Sequence, residues 1–250
     1  MKRNNFLKKS SLAAIALLLA QQSSADTVFG IYAGAGSWQG DYSGEAGDPA
    51  VSAKDLGMDD KNNTFYYIAI EHPVPLLPNL KVQQNDITSK QTSTIDKNFS
   101  IDDISFPAGS TVKTDFDLSY TDATLYYEVL DNWLNLDLGV TLRKYFGHLN
   151  AESMQIKDEI DVDVSLPLIY GKFQFDLPLT GFSAGFEGNM ISYDGNNLFD
   201  YNAKIAYMFD SALDLGLEVG YRTMKLDINE DDISTNLELK GPYAAAVFHF

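Results

Sequence analysis

Cysteine is absent from the 250 residues, which excludes a disulfide scaffold, a thiol nucleophile and a cysteine-ligated metal centre. Bases are scarce. Eighteen Lys and Arg stand against 35 Asp and Glu, for a net charge of −17, and no basic cluster is present to neutralise phosphates. A nucleic-acid surface is therefore not expected. Histidine occurs only three times, and tryptophan twice. No apolar run reaches the roughly 20 residues that a membrane helix needs, and helical periodicity is missing as well. What the chain does have is an apolar fraction of 45%, with 15 Phe and 14 Tyr. That content argues against disorder and supplies surface for one sizeable domain.

The leader reads separately from the rest. Lys2, Arg3, Lys8 and Lys9 precede an apolar run over 11–20, and small residues occupy the −3 and −1 positions of a cut before Asp26. That order of charge, apolar length and cleavage site is the order of a secretory signal peptide over 1–25. Its removal would take the net charge from −17 to −21 and leave 26–250 as the exported domain.

Period-two alternation dominates that domain. Leu134, Leu136, Leu138, Val140 and Leu142 fall on one face of a strand; Asn135, Asp137, Gly139, Thr141 and Arg143 fall on the other. The segments 199–209 and 213–222 repeat the pattern. Each such segment runs to about ten residues or more, the length that crosses a bilayer at a tilt, whereas soluble strands average about five or six. Connections alternate between short (73–79, 131–132, 177–181, 210–212) and mostly long and polar (40–62, 91–112, 148–162, 227–235), with 195–197 a short exception. The chain also ends on Phe250, with Phe248, Ala246 and Ala244 at alternate positions before it.

These features predict an all-β transmembrane, antiparallel up-and-down barrel with short periplasmic turns and longer extracellular loops. Ten strands are expected, near 28–38, 62–72, 79–89, 114–130, 133–147, 164–176, 182–194, 198–209, 213–226 and 236–250. The weakest is 79–89; without it and one neighbour the count is eight. The parity of apolar residues changes near Asp122 and again near Leu168–Ile169, which predicts a β-bulge at each place. Trp133 and Phe182 near short turns, and Trp38, Tyr145 and Phe146 toward long loops, are expected in two interfacial girdles. A soluble barrel is the lesser alternative, because its apolar outer face would aggregate in water.

The stretch Ala123–Val140 (ATLYYEVLDNWLNLDLGV), the stretch Glu71–Asn79 (EHPVPLLPN), the segment Val28–Trp38 and the aromatic C-terminus resemble a family of small, functionally uncharacterised Gram-negative outer-membrane β-barrel proteins. The resemblance implies an outer-membrane location. It implies no substrate, cofactor or catalytic residue. Phe248 and Phe250 match the C-terminal signal of such proteins, which implies periplasmic chaperones and the barrel-insertion machinery as assembly partners. Outer-membrane lipids and lipopolysaccharide would surround the barrel.

Chemistry has few carriers. Only His148 among the histidines lies toward the outer rim, where Asp200 or Ser153 would have to meet it to make a rim hydrolase. Asp59-Asp60, Asp102-Asp103 and Asp231-Asp232 are no more doublets than chance gives for the aspartates present. Acidic loops carrying Asp41, Glu45, Asp48, Asp55, Asp227 and Glu230 read as solvated faces rather than Ca²⁺ sites, since no EF-hand spacing occurs. No metal and no cofactor is expected.

The lumen carries most of the information. Asp117, Glu128, Asp137, Arg143, Lys172, Glu187, Asp200, Lys204, Asp214, Glu218 and Arg222 are expected to point inward with mixed sign. Barrels of about eight strands are just filled by side chains, and open channels appear nearer 16. Such charges must pair or stay wet. The expectation is a monomeric, non-enzymatic barrel with a lumen mostly plugged by salt bridges and a structural, envelope or surface-interaction role. A narrow passive channel for small solutes or cations is the alternative, and a rim hydrolase acting on lipid A or peptides a more remote one.

Overall fold

In the computed structural model, residues 29–46, 50–54, 58, 61–96, 98–101, 104–152, 157–209, 214–230 and 233–249 are described. The leader 1–25, the turn 210–212, Ser153, Phe250 and the acidic residues Asp48, Asp55, Asp59, Asp60, Asp102, Asp103, Asp231 and Asp232 lie outside them. Among the described residues all regular structure is β: β1 (Gly30–Ala46), β2 (Val51–Ser52), β3 (Lys61–Glu71), β4 (Asn79–Asp86), β5 (Thr88–Thr94), β6 (Phe99–Ile101), β7 (Ile104–Phe106), β8 (Thr111–Asp117), β9 (Tyr120–Leu130), β10 (Leu134–Glu152), β11 (Lys157–Asp176), β12 (Phe182–Tyr193), β13 (Asn196–Phe209), β14 (Asp214–Glu230) and β15 (Ile233–His249).

Ten of these form the wall. Neighbours run β11, β12, β13, β14, β15, β1, β3, β4, β9, β10, and β10 pairs β11 to close the ring. Every wall pairing is antiparallel. Closure leaves no sheet edge inside the wall, so each backbone amide there finds a partner without water.

Alternation decides what faces out. Ile169, Val140 and Ile205 are 63%, 59% and 57% exposed, and Ile68, Leu125, Leu138, Phe186, Leu217 and Val219 join them around the circumference. A continuous apolar belt of this kind is stable against lipid and unstable against water. The belt ends, toward the long loops, at outward-facing polar groups such as Thr64, Gln84, Asp86, Thr121 and the Lys144–Asp163 ion pair.

Three sequence expectations are corrected. First, neither parity change exists. Phe116, Tyr120, Asp122, Thr124 and Tyr126 are all buried, so even positions face in throughout β8 and β9. The register of β10 on β11 is unbroken from Leu134↔Phe175 to Glu152↔Lys157, and Leu168 and Tyr170 are both buried. The irregularity of β9 on β10 lies instead between Leu136 and Asp137. Aromatic side chains at inward positions imitated an outward apolar face. Second, Trp38 is 1% exposed inside the lumen and Tyr145 packs inward on Tyr120, so neither belongs to a girdle. Trp133, Phe146 and Phe182 are exposed. Third, much of what reads as long polar loop is hairpin. β10 and β11 stay paired to Glu152↔Lys157, and β14 and β15 to Glu230↔Ile233. These extensions are largely polar in sequence, and the alternation that marks a belt-crossing strand fades. β5 and β8 likewise extend the β4–β9 hairpin past Ile87 and Ser119, and β8 pairs the far end of β10.

Candidate functional site: the charged lumen

The lumen is organised in levels. At the short-turn end it opens into a vestibule of about 590 Å³ whose walls include Tyr32, Tyr67, Glu71, His72, Lys81, Tyr126, Glu128, Tyr170, Lys172 and Ala206. Above it stands a lysine–carboxylate layer. Glu187 on β12 receives Lys81 from β4 and Lys204 from β13, the latter at 3.2 Å. Lys204 also lies 3.1 Å from Glu218, and Lys172 donates to Asp137 at 2.9 Å. Tyr170 and Tyr243 donate their hydroxyls to Glu187 and Glu218 at 3.1 and 2.7 Å. β4 and β12 are four places apart around the ring, so the Lys81–Glu187 pair spans the lumen.

The next level is built on two arginines. Arg143 is 0% exposed and donates Nε and Nη2 to Asp122 Oδ1 and Oδ2 at 2.8 and 2.7 Å, a bidentate pair. Its Nη2 also reaches Asp200 Oδ2 at 2.6 Å. Arg222 donates to both oxygens of Asp200, at 2.9 and 2.8 Å, to Asn85 Oδ1 at 2.8 Å and to the Tyr120 hydroxyl at 2.6 Å. Tyr120 in turn donates to Asp200 Oδ2 at 2.8 Å. β14 and β9 are five places apart in a ring of ten, so the Arg222–Tyr120 bond crosses a full diameter. The guanidinium carbon of Arg143 sits 3.8 Å from the Tyr120 ring centre, and that of Arg222 sits 4.7 Å from the Trp38 ring. These planar cations thus meet carboxylates at their edges and aromatic faces on their flats.

Between the two layers lies a gap of about 40 Å³. Toward the long loops, Trp38, Tyr42, Ala53, Met58, Ile87, Phe116, Met224 and Leu239 belong to one apolar cluster. Ala53 accepts from the Met58 amide and donates its own to Gly44, both at 2.9 Å.

Eight of the eleven residues expected to point inward meet in these two layers: Asp137, Arg143, Lys172, Glu187, Asp200, Lys204, Glu218 and Arg222. Three lie elsewhere. Asp117 caps the β8–β9 junction, accepting from the Ser119 amide at 2.8 Å. Glu128 sits at the vestibule and accepts from Asn79 Nδ2 at 3.0 Å. Asp214 is at the short-turn rim, 3.8 Å from His249 Nδ1. Missing from the sequence-based list are Lys81, Asn85, Tyr120 and Asp122. Lys81 and Asn85 belong to the strand with the weakest alternation, and Tyr120 and Asp122 to the false parity change. Extending the Thr124–Tyr126 parity backward without a break would have found the last two.

His148 makes no catalytic pair with Asp200, which is bound into the arginine layer. Among the described residues it meets the Asp115 carboxylate at 3.7 Å, beyond hydrogen-bond range, and Asp115 is already engaged by Lys90 at 2.8 Å. Among the described residues no group of three His, Asp or Glu converges as a metal ion would need. Phe248 is 38% exposed, paired between Leu215 on β14 and Ala33 on β1.

No protein-family model matches the chain, and no curated protein matches it. Among solved structures, a Pseudomonas aeruginosa FadL homologue aligns over 89% of this chain and 89% of its own, at 9% identity and a TM-score of 0.37. The P. putida toluene transporter TodX aligns over 94% and 91%, at 9% identity and a TM-score of 0.31. The β domain of the Bordetella autotransporter Brka aligns over 89% and 100%, at 11% identity and a TM-score of 0.30. Likenesses this loose transfer no ligand or activity. Barrel closure rests on the chain's own strand pairing.

Proposed function

We propose that the chain is an exported, monomeric, integral outer-membrane barrel whose lumen is held shut, and whose work is structural or made through its outer surface. One observation carries this reading. The Asp122–Arg143–Asp200–Arg222–Tyr120 layer joins opposite walls, with a gap of about 40 Å³ between itself and the lysine layer. The leader 1–25 is read as a cleaved signal peptide, the short-turn end as periplasmic, and the hairpins beyond the belt as extracellular. Lipopolysaccharide and outer-membrane lipids cover the belt, and periplasmic chaperones with the insertion machinery deliver the barrel, guided by Phe248 and Phe250. No catalytic role is assigned.

The second reading, a narrow cation-preferring channel, draws on the vestibule, which gives a path its entrance before the Arg222 level. Planar-bilayer recording of the purified barrel, with heat-modifiability on gels as the folding control, decides between them. The closed barrel predicts a silent trace from heat-modifiable protein. Discrete, salt-dependent openings would favour the channel and overturn the closed reading.

A further inference from the structure

The hairpin of β10 and β11 continues past the wall with one side uncovered. β10 pairs β11 from Phe175 up to Lys157, whereas β12 pairs it only from Asp176 up to Ile169, because β12 and β13 turn back at Tyr193↔Asn196. Among the described residues no other strand takes the place of β12 above Ile169. Two hydrogen bonds at the short-turn end fix the backbone phase. The Asp176 amide donates to the Trp133 carbonyl on the β10 side, and the Leu177 amide to the Phe182 carbonyl on the β12 side, both at 2.8 Å. Even positions of β11 therefore address β10 and odd positions address β12. The register on β10 is unbroken to Lys157, so the N–H and C=O groups of Asp161, Asp163 and Ser165 point to the uncovered side. Pro167, which has no N–H to give, falls on that same side and costs the β10 ladder no bond.

The side chains beside this edge are sorted as strictly as its amides. Tyr170 and Leu168 are buried in the inward row; above them in the same row Leu166 and Val162 are half-buried and Val164 is 44% exposed. The outward row of Asp161, Asp163, Ser165 and Pro167 is exposed. Lys144 of β10 reaches Asp163, whose side chain stays 74% exposed. Over 157–165 the sequence holds four acidic residues against one lysine. Sheet edges are commonly blunted by short length, a bulge or a covering element, and this one is long and unbroken in register. A second copy of the chain does not suit it. Barrels in one membrane share an orientation, so two β11 edges would meet parallel, with their aspartates level, and like charges set opposite each other destabilise a strand pair.

We infer that the β11 edge above Ile169 is a docking site for an extended segment of a partner protein, in which basic side chains alternate with small apolar ones and which joins the sheet as an added strand. Main-chain bonds to Asp161, Asp163 and Ser165 hold the segment, and the alternating side chains give it specificity. Its basic side chains lie on the outer face beside Asp161 and Asp163, and its apolar ones continue the inward row of Val162, Val164 and Leu166. Charge complementarity selects the bases; the half-exposed apolar row selects the alternation. Pro167 sets the lower end of the site, since the edge has no donor there. The inference rests on the outer-surface reading above only for the side of the membrane from which the partner comes.

Fluorescence anisotropy of a short labelled peptide of alternating Lys and Val, titrated with the folded barrel in detergent, tests it. Saturable binding above that of empty micelles is expected, and none with the matching Glu–Val peptide. N-methylation of one alternate set of peptide amides should abolish binding and methylation of the other should not: the Lys set for an antiparallel partner, the Val set for a parallel one. Asp163→Pro removes an edge donor that the β10 ladder does not use, and should abolish binding while heat-modifiability persists. The Asp161→Asn, Asp163→Asn double variant should bind about tenfold more weakly. No saturable binding, equal effects of the two methylated sets, or full binding by Asp163→Pro would each overturn the assignment. Self-association of the barrel without peptide, lost in Asp163→Pro, would give the edge to a second copy and overturn it too. The titration depends neither on the side of the membrane nor on conductance, so its failure leaves the closed barrel standing, and a conducting barrel leaves the edge standing.

Discussion

The two halves of the lumen are built from the same kinds of residue and behave as opposites. Toward the short turns, three lysines share their carboxylates across an open vestibule, and water reaches the layer from below. Toward the long loops, two arginines do the equivalent work with no solvent access to Arg143, under a lid of Trp38, Tyr42 and Phe116. The choice of base follows from hydration. A lysine ammonium is strongly hydrated and suits a wet layer, whereas the planar guanidinium tolerates burial and forks onto carboxylates in fixed geometry. Closure is thus a property of the arginine level, and the lysine level is the ceiling of a room.

The hardest blow to that contrast is Arg143→Ala. It strands Asp122 in a dry interior and leaves Asp200 to Arg222 and Tyr120, and a loss of about 3–5 kcal/mol is expected in urea unfolding of the barrel in lipid vesicles, with flickering conductance where the parent is silent. A loss no larger than that of a surface variant would end the distinction between the levels. Glu187→Gln is the matched change below. Lys81 and Lys204 keep access to vestibule water and Lys204 keeps Glu218, so about 1 kcal/mol is expected in the same assay. Tyr120→Phe removes a hydroxyl that accepts from Arg222 and donates to Asp200, and about 1–2 kcal/mol is expected, placing it between the other two.

The smallest effect belongs outside the membrane, on the β5–β8 extension. The hydrogen bond from Lys90 holds the Asp115 carboxyl below its ordinary value of 3.8, against a small opposing effect of burial and with help from His148. A carboxylate whose folded value is depressed contributes stability above its unfolded value and loses it as pH falls through the folded one. The extension should therefore hold from neutral pH down to about pH 4 and loosen only below it. Hydrogen exchange of the Thr88–Thr94 amides, followed against pH, reads this directly. Loosening at pH 6 would contradict it, and a Lys90→Met variant should show weaker pH dependence at the acid end.

Much of this architecture is visible in the chain. The alternation in 134–143, 199–209 and 213–222 carries the wall, because lipid outside and charge inside leave a strand no freedom to slip by one residue. The failures have a common cause. Where a strand puts aromatics inward, as at Phe116, Tyr120 and Trp38, apolarity no longer distinguishes lipid from lumen, and parity must be carried over from neighbours. Where a strand leaves the belt, as in 148–152, both faces turn polar and the hairpin reads as loop. Lys81 and Asn85 escape the pattern for a related reason. Leu80 and Val82 are the clear outward pair of a short belt crossing, and Gln84 and Asp86 already belong to the interface. Long-range partnerships such as Arg222 with Asn85 depend on which strands face each other across the ring, which a linear pattern does not contain.

The absence of cysteine gives the most direct test of a lumen open at one end. Ala206 lines the vestibule on β13, and Ala206→Cys supplies a single thiol there. In proteoliposomes whose barrels share one orientation, a small membrane-impermeant maleimide should label that thiol from the short-turn side and leave it untouched from the long-loop side. Equal labelling from both sides would show a continuous path past Arg143 and Arg222, and the closed lumen would be wrong.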